Sequence, residues 1–114
     1  LVAGYSRSTC ALTISGQVKC WGKATTGNLG YGDTINRGDG RGEMGDSLPV
    51  VDLGTGLSVT QISGASTLFC ARISDGTLRC WGANTYGQLG VGDTLHRGDG
   101  ANEMGDSLPA LILE

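Results

Sequence analysis

The chain has 114 residues, a formal net charge of −3 and only 17% charged residues, which is the size of one ordinary domain. Its 21 glycines and two prolines argue against a helical bundle, because each interior glycine costs a helix about 1 kcal/mol relative to alanine; they also exclude collagen, which needs a strict Gly-X-Y period. No apolar run reaches the roughly 18 residues of a membrane span, and the acidic balance opposes nucleic-acid binding, which needs a basic face.

In chain order, the pattern predicts a short strand near Leu1–Ala3. A hairpin follows, with Ala11–Ile14 and Gln17–Lys19 flanking Ser15-Gly16. A long, glycine-rich acidic loop occupies 33–48, and Pro49 leads into a strand at Val50–Leu53. The same order recurs: a strand at Ser58–Ile62, a hairpin about Ser74-Asp75-Gly76, an acidic loop at 93–108 and a strand at Ala110–Leu113. Asp-Gly is a strong turn signal, and a three-residue loop with glycine in the left-handed region closes on Ile73 and Thr77.

That register places Cys70 opposite Cys80 and, by the same arithmetic, Cys10 opposite Cys20. Alternation makes each a non-hydrogen-bonded pair with Cα atoms about 4.5 Å apart, within reach of a disulfide. The expectation is therefore two bridges, Cys10–Cys20 and Cys70–Cys80, and an oxidising, extracellular or cell-surface location. The competing readings are four free buried thiols, or zinc, whose ribbon spacing these cysteines lack.

Sliding the chain by 60 residues aligns 1–54 with 61–114 without a gap, and 27 of the 54 positions are identical. The organisation read from this is a first repeat at 1–54, a connection at 55–60 and a second repeat at 61–114. About four short strands per repeat is the pattern of a propeller blade. The fold class expected is all-β, two tandem four-stranded propeller-type blades with long acidic loops; a β-solenoid of stacked rungs is the alternative.

The run Cys-Ala-Arg-Ile-Ser-Asp-Gly-Thr-Leu-Arg-Cys-Trp-Gly-Ala-Asn-Thr-Tyr-Gly-Gln-Leu-Gly at 70–90 resembles the regulator of chromosome condensation repeat. So does the stretch at 4–22, which ends in Gly-Gln-Val-Lys-Cys-Trp-Gly. The first repeat keeps Trp21-Gly22, Gly27, Leu29 and Gly30, but has Ala24 and Asn28 where the second has Asn84 and Gln88. The resemblance implies four-stranded blades in a propeller that usually closes with about seven. Two departures stand out. Ser8-Thr9 and Leu68-Phe69 stand where the family often has His-Thr, and the acidic loops are longer than its usual connection. Trp21, Leu29, Trp81 and Leu89 are the expected packing residues between blades.

Two further motifs are weighed and set aside. Gly-Asp-Ser-Leu at 45–48 and 105–108 matches the name motif of the GDSL hydrolases, but Asp93 and His96 precede Ser107 and Ser47 has no local base, so the nucleophile constellation is missing. No catalytic residue is expected. Arg-Gly-Asp at 37–39 and 97–99 is the tripeptide that integrins read; the plainer reading is a turn whose arginines pair with carboxylates in the same loop. Those loops hold Asp33, Asp39, Glu43 and Asp46, then Asp93, Asp99, Glu103 and Asp106. Oxygen-rich, flexible loops of this kind suit Ca²⁺; the plainer reading is that these carboxylates are solvated or salt-bridged within their own loops.

Two blades cannot close a ring, and an uncovered strand edge is a template for association. The functional expectation is a non-catalytic extracellular structural module that self-associates through open blade edges, as part of a filament or multi-chain repeat array. The alternatives are a secreted propeller holding another extracellular protein on one face, and a guanine-nucleotide exchange module, against which the paired cysteines and acidic balance speak.

Overall fold

A computed structural model describes residues 2–4, 7–65 and 67–111. Among the described residues each repeat builds one three-stranded antiparallel sheet. The first has β1 (Val2–Gly4), β2 (Ser8–Leu12) and β3 (Val18–Gly22); the second has β4 (Val59–Ala65), β5 (Leu68–Ile73) and β6 (Leu78–Gly82). Strands pair in sequence order in both.

The hairpins follow their turns. In the second, the Ile73 amide donates to the Thr77 carbonyl at 2.9 Å, and Gly76 takes a φ of +89°, which only glycine adopts without strain. Asp75 accepts from both the amide and the hydroxyl of Thr77. The Thr77 hydroxyl is the main reason the Asp75 carboxyl lies below its ordinary pKa. The ladder then places Phe69 opposite Trp81 and Cys70 opposite Cys80. In the first repeat Cys10 lies opposite Cys20. Both pairs are disulfide-bonded, each with Cα atoms 4.1 Å apart.

The outermost expected strands differ. The stretch at 50–53 forms no ladder and touches β3 through one bond, the Val51 amide to the Val18 carbonyl at 2.7 Å. Beyond that bond Tyr31 takes up the Cys20 backbone. Its hydroxyl accepts the Cys20 amide at 2.8 Å and lies 2.7 Å from the Cys20 carbonyl and 3.0 Å from that of Pro49. It thus occupies the β3 positions a neighbouring strand would need. Burial pushes the Tyr31 phenol pKa up, which keeps the hydroxyl neutral and able to donate. In the second repeat Leu111 touches Leu78 in the same single-bond way; residues 112 and 113 of the strand expected there, and Leu1 of the first, lie outside the described residues.

Across both sheets runs a single apolar core, including the Cys10–Cys20 bridge, Leu29, Val51, Ile62, Phe69 and Trp81. The two repeats therefore share one interior. The structure supports the all-β, propeller-type reading over stacked rungs, because each sheet is an antiparallel meander rather than a set of parallel rungs.

Candidate functional site: the joint between the repeats

Among the described residues no hydrogen-bonded ladder links the two sheets. The repeats meet where a turn of the first, residues 26–32, enters a socket in the second. The Trp81 indole donates to the Asn28 carbonyl at 3.0 Å, and the Gly32 amide donates to the Gly98 carbonyl at 2.9 Å. The Thr26 hydroxyl reaches the Thr67 carbonyl at 3.3 Å. Gly27 and Gly98 are packed back to back: a Cβ on Gly98 would overlap the Gly27 carbonyl, and a Cβ on Gly27 would overlap the Asp99 amide. Both have positive φ, +72° and +98°, so glycine is required there for space and for conformation.

A second strip reinforces the joint. The Gly105 amide donates to the Asp52 carbonyl at 2.7 Å, and Thr55 gives both its amide and its hydroxyl to Asp106, each at 2.8 Å. Arg79 donates to the Leu53 carbonyl at 2.7 Å. The Thr55 amide is the chief cause that holds the Asp106 carboxyl below its ordinary pKa.

Of the packing residues expected from the sequence, Trp81, Leu29 and Leu89 are buried, whereas Trp21 is only half-buried. Sequence reasoning missed the side chains that hold the turns from inside. Asn28, buried, donates to the Ser8 hydroxyl at 2.9 Å and the Lys23 carbonyl at 3.0 Å. Asn84, also buried, binds the Asp93 and Leu95 carbonyls and accepts the Leu89 amide. An asparagine inside an otherwise Gly- and Leu-rich motif was the available signal, since a buried amide must find partners.

The acidic loops are occupied from within. Asp33 pairs with Arg37 at 3.0 Å and Asp93 with Arg97 at 2.8 Å. Burial raises Asp33, but the Arg37 hydrogen bond, the Ile35 amide and the Arg37 charge outweigh it, leaving its pKa lowered. Asp93 is lowered first by its bond to Arg97. Glu43 accepts the Gly38 and Gly40 amides, and Glu103 accepts those of Gly98, Asp99 and Gly100. The two glutamates shift oppositely. The Gly40 amide leads in lowering Glu43, whereas burial and then Asp99 raise Glu103. Asp39 and Asp46 are exposed. Among the described residues no three His, Cys, Asp or Glu side chains converge on a point that would hold a metal ion. Four of the eight carboxylates hold arginines or loop amides and Asp106 holds Thr55, which is the salt-bridged arrangement expected beside the calcium reading.

The other motifs resolve similarly. Ser47 and Ser107 sit exposed in single 3-10 turns. His96 Nδ1 accepts the Asn84 amide at 2.9 Å, the role that Asn36 fills for Ala24 at 3.0 Å. In each Arg-Gly-Asp the arginine is tied to its aspartate four residues back and bridges the end of a strand, Gly22 to Arg37 and Gly82 to Arg97. The sequence suggested open blade edges, but on β3 Arg37, Tyr31 and Val51 cover the backbone groups.

Comparison with known proteins agrees with this architecture. Residues 59–88 and 75–112 match the regulator of chromosome condensation (RCC1) repeat. The ultraviolet-B receptor UVR8 of Arabidopsis thaliana is 33% identical over 89 residues, covering 76% of this chain and 18% of that protein. The human E3 ubiquitin-protein ligase HERC2 is 33% identical over 84 residues, covering 74% of this chain and 2% of that one. The chain therefore spans less than a fifth of the length of these curated relatives. Among solved structures, human WBSCR16 superposes with a TM-score of 0.60 at 26% identity, over 79% of this chain and 21% of that one. Prp20p from Saccharomyces cerevisiae superposes with a TM-score of 0.54 at 19% identity, over 80% and 22%. With two overlapping family matches across 59–112 and these relatives, the chain belongs to the regulator of chromosome condensation repeat family.

Proposed function

We propose that the chain is a non-catalytic structural segment of an extracellular repeat array that associates with further copies of itself. One observation carries this reading: residues related by the 60-residue repeat are buried at the joint but uncovered where no neighbour sits. Trp81, Gly98 and Gly27 are buried, whereas their counterparts Trp21 and Gly87 are half-buried and Gly38 is exposed. The two disulfides support an oxidising compartment. A secreted propeller that holds a partner protein is the second reading, favoured by the far greater length of the matched relatives.

Light scattering on the non-reduced chain at neutral pH tests this. A discrete mass of about three or four chains matches six to eight blades and a closed ring. A large, polydisperse mass indicates head-to-tail addition that does not close. A monomer up to millimolar concentration overturns self-association.

A further inference from the structure

Resting on that reading, we infer that the Arg37-Gly38-Asp39 loop, together with Trp21 and Arg7, is a socket for the 86–92 turn of a second copy of this chain. The internal joint supplies the template. Shifting it by 60 residues puts Gln88 in the place of Asn28, Gly87 in the place of Gly27, and Gly92 in the place of Gly32; on the other side Trp21 replaces Trp81 and Gly38 replaces Gly98. The turn-and-socket groups Asn28, Gly32, Trp81 and Gly98 thus have counterparts, so the Trp21 indole would donate to the Gln88 carbonyl and the Gly92 amide to the Gly38 carbonyl.

The surfaces are shaped for it. Arg7, Trp21, Lys23 and the 36–39 loop line an open concavity of about 430 Å³. The turn that would enter it carries Tyr86, which is 90% exposed, and Gly90, also exposed. Met44, 44% exposed, corresponds to Met104, which packs against Gly30 in the filled joint.

One changed contact pair distinguishes the outer joint. Inside the chain Thr26 meets Thr67; their counterparts are Tyr86 and Arg7. A tyrosine face against a guanidinium is attractive, and neither side chain has such a partner within the described part of the chain. Arg7 is exposed. The pairing is heterologous, so each copy would offer a socket at one end and a turn at the other.

The test uses two single variants, Gly38→Asn and Gly87→Asn. Asparagine tolerates the positive φ of both positions. In the free chain a Cβ at Gly38 comes within 3.2 Å of the Met44 sulfur, the end of a flexible side chain, and at Gly87 only within 3.7 Å of the Asp93 carbonyl. In the joint either Cβ would overlap backbone, as at Gly98 and Gly27. Sedimentation velocity should show each variant associating at least about tenfold more weakly than wild type, a loss of roughly 1.4 kcal/mol or more. An equimolar mixture should form a 1:1 pair, since one intact socket and one intact turn remain. Near-ultraviolet circular dichroism matching wild type shows that the variants are folded; if either is not, Arg7→Glu and Tyr86→Ala replace them with the same expected outcome. If wild type associates and the variants associate equally, the socket assignment is overturned while self-association stands. If wild type is monomeric, both are overturned.

Discussion

The indole of Trp81 donates to the Asn28 carbonyl at 3.0 Å across 53 residues of chain. Its counterpart Trp21 is half-buried. One residue type in one motif is therefore an interior anchor in the second repeat and a surface residue in the first. The difference comes from whether a neighbouring turn is present, and it makes the joint measurable by paired substitutions.

Trp81→Phe removes the donor and leaves a buried carbonyl unpaired, which costs about 1–3 kcal/mol. Trp21→Phe should shift stability by no more than about 0.5 kcal/mol, as at an ordinary surface site. Urea denaturation of the two variants at a concentration where the chain is dispersed checks this. Equal losses would show that Trp81 does not anchor the joint.

Gly98→Asn and Gly38→Asn place the same side chain at φ values of +98° and +86°, so their conformational strain is similar. Only the first meets the Gly27 carbonyl and the Gly30 Cα. The overlap should cost Gly98→Asn about 1–3 kcal/mol more, read as the difference in urea midpoints at constant slope.

Each disulfide closes a segment of ten residues in sequence separation. Reduction should cost about 2–4 kcal/mol per bridge through the freer unfolded chain. Intact mass after alkylation, with and without reductant, should differ by four alkyl groups, and the reduced chain should unfold at lower urea. Alkylation without reductant would remove the bridges and the extracellular argument with them.

Glu43 and Glu103 occupy equivalent positions yet shift in opposite directions. The lowered Glu43 contributes stability that is present above the ordinary glutamate pKa and is lost as pH falls through its folded value. The raised Glu103 contributes stability that is present below the ordinary value and is lost as pH rises through its folded one. Near neutral pH, Glu43→Gln should therefore destabilise. Glu103→Gln, which can still accept the three loop amides, should be neutral or stabilising. Urea melts at pH 7 and pH 4 check both signs, and carboxyl-carbon titration by NMR reads the two directions separately.

Acidification should weaken the chain as a whole. Asp33, Asp93 and Asp106 are all lowered, so the stability they contribute is full above about pH 4 and lost below it. Asp106→Asn should blunt that loss, because it removes the carboxylate that receives Thr55 across the joint. A midpoint-against-pH curve unchanged by this substitution would exclude the contribution.

Local chemistry determined much of this protein. The Ser74-Asp75-Gly76 turn sets a register that puts Cys70 against Cys80, because strand pairing has a period of two and a turn fixes its phase. The 60-residue identity between halves determined that there are two like units, and the Trp-Gly and Gly-Gln-Leu-Gly runs pointed to their family. What only the tertiary structure decided is how equivalent residues come to differ. Whether Trp81 is buried and Trp21 half-buried depends on a turn arriving from another part of the chain, and no local pattern encodes that. For the acidic loops the sequence left two readings, salt-bridged carboxylates or a calcium site, because it shows charge but not direction. In space Asp33 turns to Arg37 and Glu103 to three amides of its own loop, so equivalent-looking charges meet different partners. The stretch at 50–53 read as a strand from its composition, yet it meets β3 at Val18 and a tyrosine hydroxyl from 31 takes the Cys20 backbone groups next to it. Competition for an edge is settled by whichever group is held closest, and that is a property of the folded chain.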